Sequence, residues 1–215
     1  MRIVFEKRKT LSRKAVMLVP LASFFISLLL TAILLTIFKT NPFVTFAAMF
    51  KGAFGTWPNF TETLVKAIPL MLTGLGVLIA FRLKFWNIGA EGQLTFGGIA
   101  ATWVVLFWSP FLSPWMVLPV SIMVGMAAGA LWAGIPAFLK VSLKVDEVLT
   151  TLMLNYVAIL FAEHLYYGPW RDPKGYGFPG TPSFPEFAWL PRIAGRAHLG
   201  LIFALVLAVL IWFIL

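Results

Sequence analysis

No cysteine occurs among the 215 residues, which excludes disulfide staples, thiolate metal sites and cysteine nucleophiles. Charge is nearly as scarce: 12% of the residues are Asp, Glu, Lys or Arg, where an ordinary soluble domain has about 25%. The sequence holds no His-Glu-x-x-His, no Gly-x-Ser-x-Gly and no Gly-x4-Gly-Lys-Ser/Thr phosphate loop, and its two histidines, His164 and His198, stand 34 residues apart. Without a phosphate loop the chain cannot drive transport with ATP by itself. A membrane-embedded enzyme would need reactive side chains clustered at one depth, and the spacing does not provide them.

What the sequence has in quantity is apolar surface, 60% of all residues. The 17 Lys and Arg outnumber the 8 Asp and Glu, but they fall at the ends of long uncharged runs rather than on one solvated face. That is the placement of cations kept in headgroups or water, so the partner implied is membrane lipid and not nucleic acid.

The run 15–38 carries no charge between Lys14 and Lys39 and would be about 36 Å long as a helix, enough to cross a hydrocarbon core of about 30 Å. A basic leader (Arg2, Lys7, Arg8, Lys9, Arg13, Lys14) precedes it. The run is too long for a signal peptide, and no cleavage site follows, so a retained first span is expected. Further apolar runs cover 64–81, 94–108, 115–135, 148–167 and 199–215. The sixth reaches Leu215 without a polar flank, so the chain is expected to be the N-terminal part of a longer protein. The stretch 42–57, broken by Lys51, Gly52 and Gly55, is expected to lie along an interface. The predicted fold is all-α, a polytopic membrane bundle of about six spans forming one domain over 1–215.

With the N-terminus inside, the inside segments 1–14, 82–93 and 136–147 hold 10 basic residues in 38, against 7 in 65 for the outside segments. This density predicts a cytoplasmic N-terminus. The outside segment 168–198, rich in Pro, Gly and aromatics, is either a lid on the membrane surface or a docking face for an external partner.

Gly125, Gly129 and Ala133 make a small-xxx-small ladder suited to close helix packing, with Gly74, Gly97, Gly98 and Ala101 as further approach points. The segment Asn87-Ile88-Gly89-Ala90-Glu91-Gly92-Gln93 sits between two short apolar runs, the first interrupted by Pro69, Gly74 and Gly76. Two readings stand open. Short, interrupted spans mark broken helices near a transporter's midplane; alternatively, Asn87 caps the next helix and Glu91 favours its positive end from the interface. Farther on, Thr151, Asn155, Ala162 and Tyr166 fall on one helical stripe. A buried Asn there either bonds a neighbouring helix or lines a polar path.

The strings Phe85-Trp86-Asn87-Ile88-Gly89-Ala90-Glu91-Gly92-Gln93-Leu94 and Lys144-Val145-Asp146-Glu147-Val148-Leu149-Thr150-Thr151-Leu152-Met153-Leu154-Asn155-Tyr156 resemble the permease subunits of bacterial ABC importers. The likeness is to the branch that carries nucleosides with a basic-membrane-lipoprotein-type receptor, itself related to simple-sugar permeases. The resemblance implies a multi-pass protein of the bacterial inner membrane working by alternating access. It implies as partners a second permease, a cytoplasmic ATPase that binds the ATP and magnesium, and an extracytoplasmic substrate-binding lipoprotein. Asn87, Glu91, Gln93 and Asn155 are then the candidate solute-path residues, offering donors and acceptors to ribose hydroxyls or base edges. No EAA-like coupling stretch is found, in keeping with the expected truncation. Lys140, Lys144, Asp146 and Glu147 in the loop 136–147 are candidates for a secondary cytoplasmic contact. Simple-sugar import, and an ATP-independent channel or secondary transporter, remain as alternatives.

Overall fold

The computed structural model describes residues 13–215, with side chains from Val16 onward. The side chains of the basic leader (Arg2, Lys7, Arg8, Lys9, Arg13, Lys14) lie outside the described residues. The chain divides into two compact units, one ending at Phe60 and the other covering Thr61–Leu215.

The first unit holds α1 (Arg13–Ile37) and α2 (Pro42–Phe54). Helix α1 carries apolar side chains outward all round, as a helix facing lipid does. Its hydroxyls bond within the helix: Ser23, Thr31 and Thr36 donate to the carbonyls of Val19, Ser27 and Ala32 at 2.8–2.9 Å. The helix stops at Lys39, whose φ of 57° turns the chain out of register. Asn41 then caps α2 by accepting from Phe43 and Val44 N–H, with Pro42 at the first helical position, where its missing N–H costs nothing. Thirteen residues give α2 a length of about 20 Å, too short to cross a bilayer.

Helix α3 (Trp57–Arg82) starts at the boundary and runs into the second unit. It is followed by α4 (Ala90–Trp103), α5 (Pro114–Leu143), α6 (Glu147–Tyr167), a two-stranded antiparallel ribbon of β1 (Arg192–Ala194) and β2 (Ala197–His198), and α7 (Gly200–Ile214). A π-helical stretch, Val104–Trp108, and a short 3-10 turn extend α4 to Phe111. The core lies where α4 packs on α5 and α6, around buried Val104, Val117 and Ala158.

Five helical segments among the described residues are long and apolar enough to cross a membrane: 16–37, 57–82, 90–111, 114–143 and 147–167. The sixth expected span, 199–215, forms α7, an apolar helix of fifteen residues. Large apolar side chains such as Leu131, 74% exposed, point outward. Together these features define a polytopic helical membrane bundle.

Three expectations need correction. The apolar runs 64–81 and 94–108 do not form short, broken spans. Helix α3 passes through Pro69, Gly74 and Gly76 without a break and begins at Trp57, where Thr56 Oγ1 accepts from Asn59 N–H at 3.3 Å. Helix α4 begins at Ala90, so Glu91 and Gln93 are helical. Finally, most of the loop expected at 136–147 is helix, because α5 continues to Leu143 and leaves a turn of three residues, Lys144 to Asp146. Pro136 is buried inside α5; proline within a membrane helix is tolerated where neighbouring groups satisfy the freed backbone.

Candidate translocation site

The extended link between α3 and α4 carries most of the polar chemistry of the bundle. Lys84, with φ of 56°, ends α3, and Phe85 N–H returns to the Ala80 carbonyl at 2.9 Å. The chain then runs to Gly89, the residue that precedes α4. Asn87 does not cap α4, as one of the two open readings had it, because the helix starts beyond its reach. Its Oδ1 instead accepts from Gly89 N–H at 2.9 Å and from Gln93 Nε2 at 3.1 Å, while its Nδ2 donates to Gln93 Oε1 at 3.1 Å. Asn87 and Gln93 thus form a reciprocal amide pair.

The N-terminal turn of α4 is capped from another helix. Asn155, on α6, accepts from Gly92 N–H at 2.7 Å through Oδ1 and donates from Nδ2 to the Ile88 carbonyl at 2.9 Å. One turn earlier on α6, Thr151 Oγ1 accepts from Ile88 N–H at 3.3 Å and donates back to the Glu147 carbonyl at 2.7 Å. A buried amide in an apolar bundle must pair both its ends. Asn155 does so against an N–H of the first turn of α4, which helix geometry leaves unsatisfied, and against a carbonyl of the link. The approach is close: a Cβ on Gly92 would stand 2.7 Å from Asn155 Oδ1, and one on Gly89 would stand 2.9 Å from Thr151 Cβ. Of the polar stripe on α6, Thr151 and Asn155 therefore face the α3–α4 link. Ala162 and Tyr166 line a shallow cleft with Thr95 and Thr102 of α4.

On its other side α4 meets α5 through glycine. A Cβ on Gly97 would lie 2.9 Å from the Gly125 carbonyl oxygen, and one on Gly129 would lie 3.1 Å from the Gln93 carbonyl oxygen. Phe96 stacks on Trp132 of α5 with ring centroids 4.1 Å apart.

At the same end as the link, Lys140 of α5 gathers three partners. It forms an ion pair with Glu147, donates to the Lys84 carbonyl at 3.2 Å, and lies over the Phe85 ring at 5.1 Å. Asp146 caps α6 by accepting from Leu149 N–H at 2.9 Å, while Lys144, with φ of 56°, ends α5 and is exposed. Among the described residues no group of three metal-ligating side chains comes together.

A groove of about 500 Å³ opens between α3, the link, α4 and α5. Its walls are Gly76, Ile79, Ala80 and Leu83 on one side and Ala133, Ala137 and Val141 on the other, and its polar groups are Asn87, Gln93 and Lys140. The four sequence candidates thus separate. Asn87 and Gln93 face the groove, Asn155 stands behind them with both amide ends spent, and Glu91 is exposed in the first turn of α4. Lys140, singled out from sequence for a secondary cytoplasmic contact, is also a groove residue; its spacing from Glu147 across a turn was the available signal.

A multi-pass helical bundle with a semi-polar groove at a helix start is the architecture of a membrane permease. The chain belongs to the family described as the branched-chain amino acid transport system permease component, matched over residues 59–215. It is 36% identical over 176 residues to the glucose ABC transporter permease protein of Haloferax volcanii, covering 82% of this chain and 46% of that protein. It is 34% identical over 207 residues to the guanosine ABC transporter permease protein of Bacillus subtilis, covering 93% and 58%. With the nucleoside ABC transporter permease protein of Lactococcus lactis it shares 35% identity over 145 residues, covering 67% and 40%. The chain spans about half the length of these curated relatives. No solved structure matches it.

Proposed function

We propose that this chain forms part of the translocation path of an ATP-binding-cassette importer for nucleosides. The observation that carries the reading is the Asn87–Gln93 amide pair facing a groove whose walls are apolar apart from these two amides and Lys140. Few polar groups in an apolar wall suit a solute with a flat base and a hydroxylated sugar, fixed in orientation without being bound tightly. The names of the Bacillus and Lactococcus relatives point the same way.

In this reading the permease sits in the bacterial inner membrane with its N-terminus in the cytoplasm. It pairs with a second permease and with an ATPase that binds ATP and magnesium, and it receives solute from an extracytoplasmic lipoprotein. Nucleotide-driven closure rocks the helices around the groove. Asn87 and Gln93 contact the solute, Asn155 holds their segment in place, and Glu91 stands at the entrance to α4. The turn Lys144 to Asp146 is exposed beside the Lys140–Glu147 pair and gives a partner a secondary cytoplasmic contact.

Import of a simple sugar is the second reading, favoured by the identity to the glucose permease. Uptake by the full-length permease, reconstituted with its partner subunits and receptor, separates the two. ATP-dependent accumulation of labelled nucleoside and not of glucose is expected. Accumulation of glucose alone would replace the nucleoside reading, and uptake that ignores ATP would remove the importer class altogether.

A further inference from the structure

We infer, on the import reading above, that Lys140 latches the groove at its inner end, and that its release from the α3–α4 link lets solute pass to the cytoplasm.

Helices α3 and α5, separated by one span, run in the same direction and end on the same side of the bundle. The groove between them is walled from Gly76 to Leu83 on the α3 side and from Ala133 to Val141 on the α5 side. Both walls stop where Lys140 reaches across: its Nζ donates to the Lys84 carbonyl at 3.2 Å and lies 5.1 Å from the centre of the Phe85 ring. A second hollow, of about 460 Å³, is formed by the turn Lys144 to Asp146 together with Glu147, and Lys140 and Val141 line both spaces. Lys140 therefore stands in the partition between the groove and the hollow at the end of the bundle.

The contacts of Lys140 are of two kinds. Its ion pair with Glu147 stays within the α5–α6 hairpin, whose turn of three residues keeps the partners together. The bond to the Lys84 carbonyl and the contact with the Phe85 ring cross from that hairpin to the link. Parting the link from the hairpin gives up only these two contacts, and Lys140 keeps its counterion. A charge stranded at the end of an apolar groove would be costly, whereas one that carries its partner with it can move and return. The return is favoured as well, because a cation is stabilised beside the carbonyls that end a helix. The packing permits the motion: α4 is packed closely on α5 and α6, while α3 approaches them only loosely, so its wall can shift without opening the core.

The test uses the full-length permease, without other cysteines, assembled with cysteine-free partner subunits and receptor. In proteoliposomes, Phe85→Cys combined with Lys140→Cys is bridged by a short bis-methanethiosulfonate reagent, which makes the tie covalent. ATP-dependent nucleoside uptake is expected to be lost on bridging and to return with dithiothreitol. A contact that only supports the fold predicts the reverse, so bridged permease that imports as fast as unbridged permease overturns the latch. A second measurement needs no solute: a membrane-impermeant maleimide is offered to Ala137→Cys, in the groove wall, from the cytoplasmic face of inside-out vesicles. Without ATP, Lys140→Met combined with Glu147→Gln, which strands no charge, is expected to speed this labelling about ten-fold, because losing a charge-assisted hydrogen bond shifts an opening equilibrium. Lys140→Arg, which keeps the tie, is expected to leave labelling slow. Equal rates with and without the Lys140 and Glu147 substitutions overturn the latch, and they decide the matter if the paired cysteine variant does not assemble. Import of neither nucleoside nor glucose by the unbridged permease overturns the import reading instead, and the labelling rates still decide whether the latch exists.

Discussion

Asn155 and Gly92, 63 positions apart in sequence, are joined by a 2.7 Å hydrogen bond in which the side chain of one helix caps the first turn of another. The same carboxamide donates to the Ile88 carbonyl at 2.9 Å, so one residue fixes both the end of the link and the start of α4. The groove amides lie on either side of this anchor. The position of Asn87 and Gln93 relative to each other thus depends on a residue that touches neither.

Replacing Asn155 by Leu leaves the buried Gly92 N–H and the part-buried Ile88 carbonyl without the partner they share. Each such group costs about 1–3 kcal/mol. The expected outcome is a lower unfolding midpoint in mixed micelles, together with faster labelling of a thiol introduced as Ile88→Cys, which is the sole cysteine in this sequence. Thr151→Val, which removes only one, longer, bond to the link, should have a smaller effect on both measurements. Equal labelling with and without Asn155 would mean that the link is held in some other way.

Lys140 and Glu147 should show strong coupling in a double-mutant cycle. Their side chains are 34% and 14% exposed, so loss of either charge leaves the other partly buried and unpaired. Lys140→Met alone should destabilise more than Lys140→Met combined with Glu147→Gln, so the two substitutions should be non-additive. Additive effects in micelle unfolding would show that the pair contributes little. Because Lys140 also holds the Lys84 carbonyl, the single variant should in addition loosen the segment that carries Asn87.

Sequence patterning reached the helices and the polar segment, but not their partners. Uncharged runs marked five long helices, because lipid admits little else. The start of α3 was missed because Asn59, Glu62 and Lys66 read as a polar connection. Glu62 is in fact paired with Arg196 at 3.1 Å, far along the chain, and the helix continues beneath the β1–β2 turn at Gly195. The end of α5 was blurred because a lysine, Lys144, occupies the left-handed position usually signalled by glycine. At 87–93 the residue types pointed to function, yet separating Asn87 and Gln93 from Asn155 required knowing that Asn155 spends both ends of its amide on a neighbouring helix. Spacing on a single helix carries no such information.

The packing of α4 on α5 makes a sharper test, because two adjacent glycines have opposite surroundings. A Cβ on Gly97 would sit 2.9 Å from the Gly125 carbonyl oxygen, whereas one on Gly98 would meet nothing within 4 Å. Gly97→Ala must push the helices apart or bend them, at a cost of about 1–3 kcal/mol for overpacking. Gly98→Ala adds a methyl group in open space and gains helix propensity, worth up to about 1 kcal/mol. Micelle unfolding should therefore move in opposite directions for the two variants. Function should separate them as well, since Gln93 is one turn from Gly97 on the same helix and its carbonyl packs against Gly129 of α5. Displacing α4 from α5 would widen the groove between Gln93 and Ala133, so uptake by the assembled full-length permease should fall with Gly97→Ala and stay near wild type with Gly98→Ala. If both variants behaved alike, the α4–α5 contact would not be what positions Gln93, and the amide pair would have to owe its geometry to the α6 side alone.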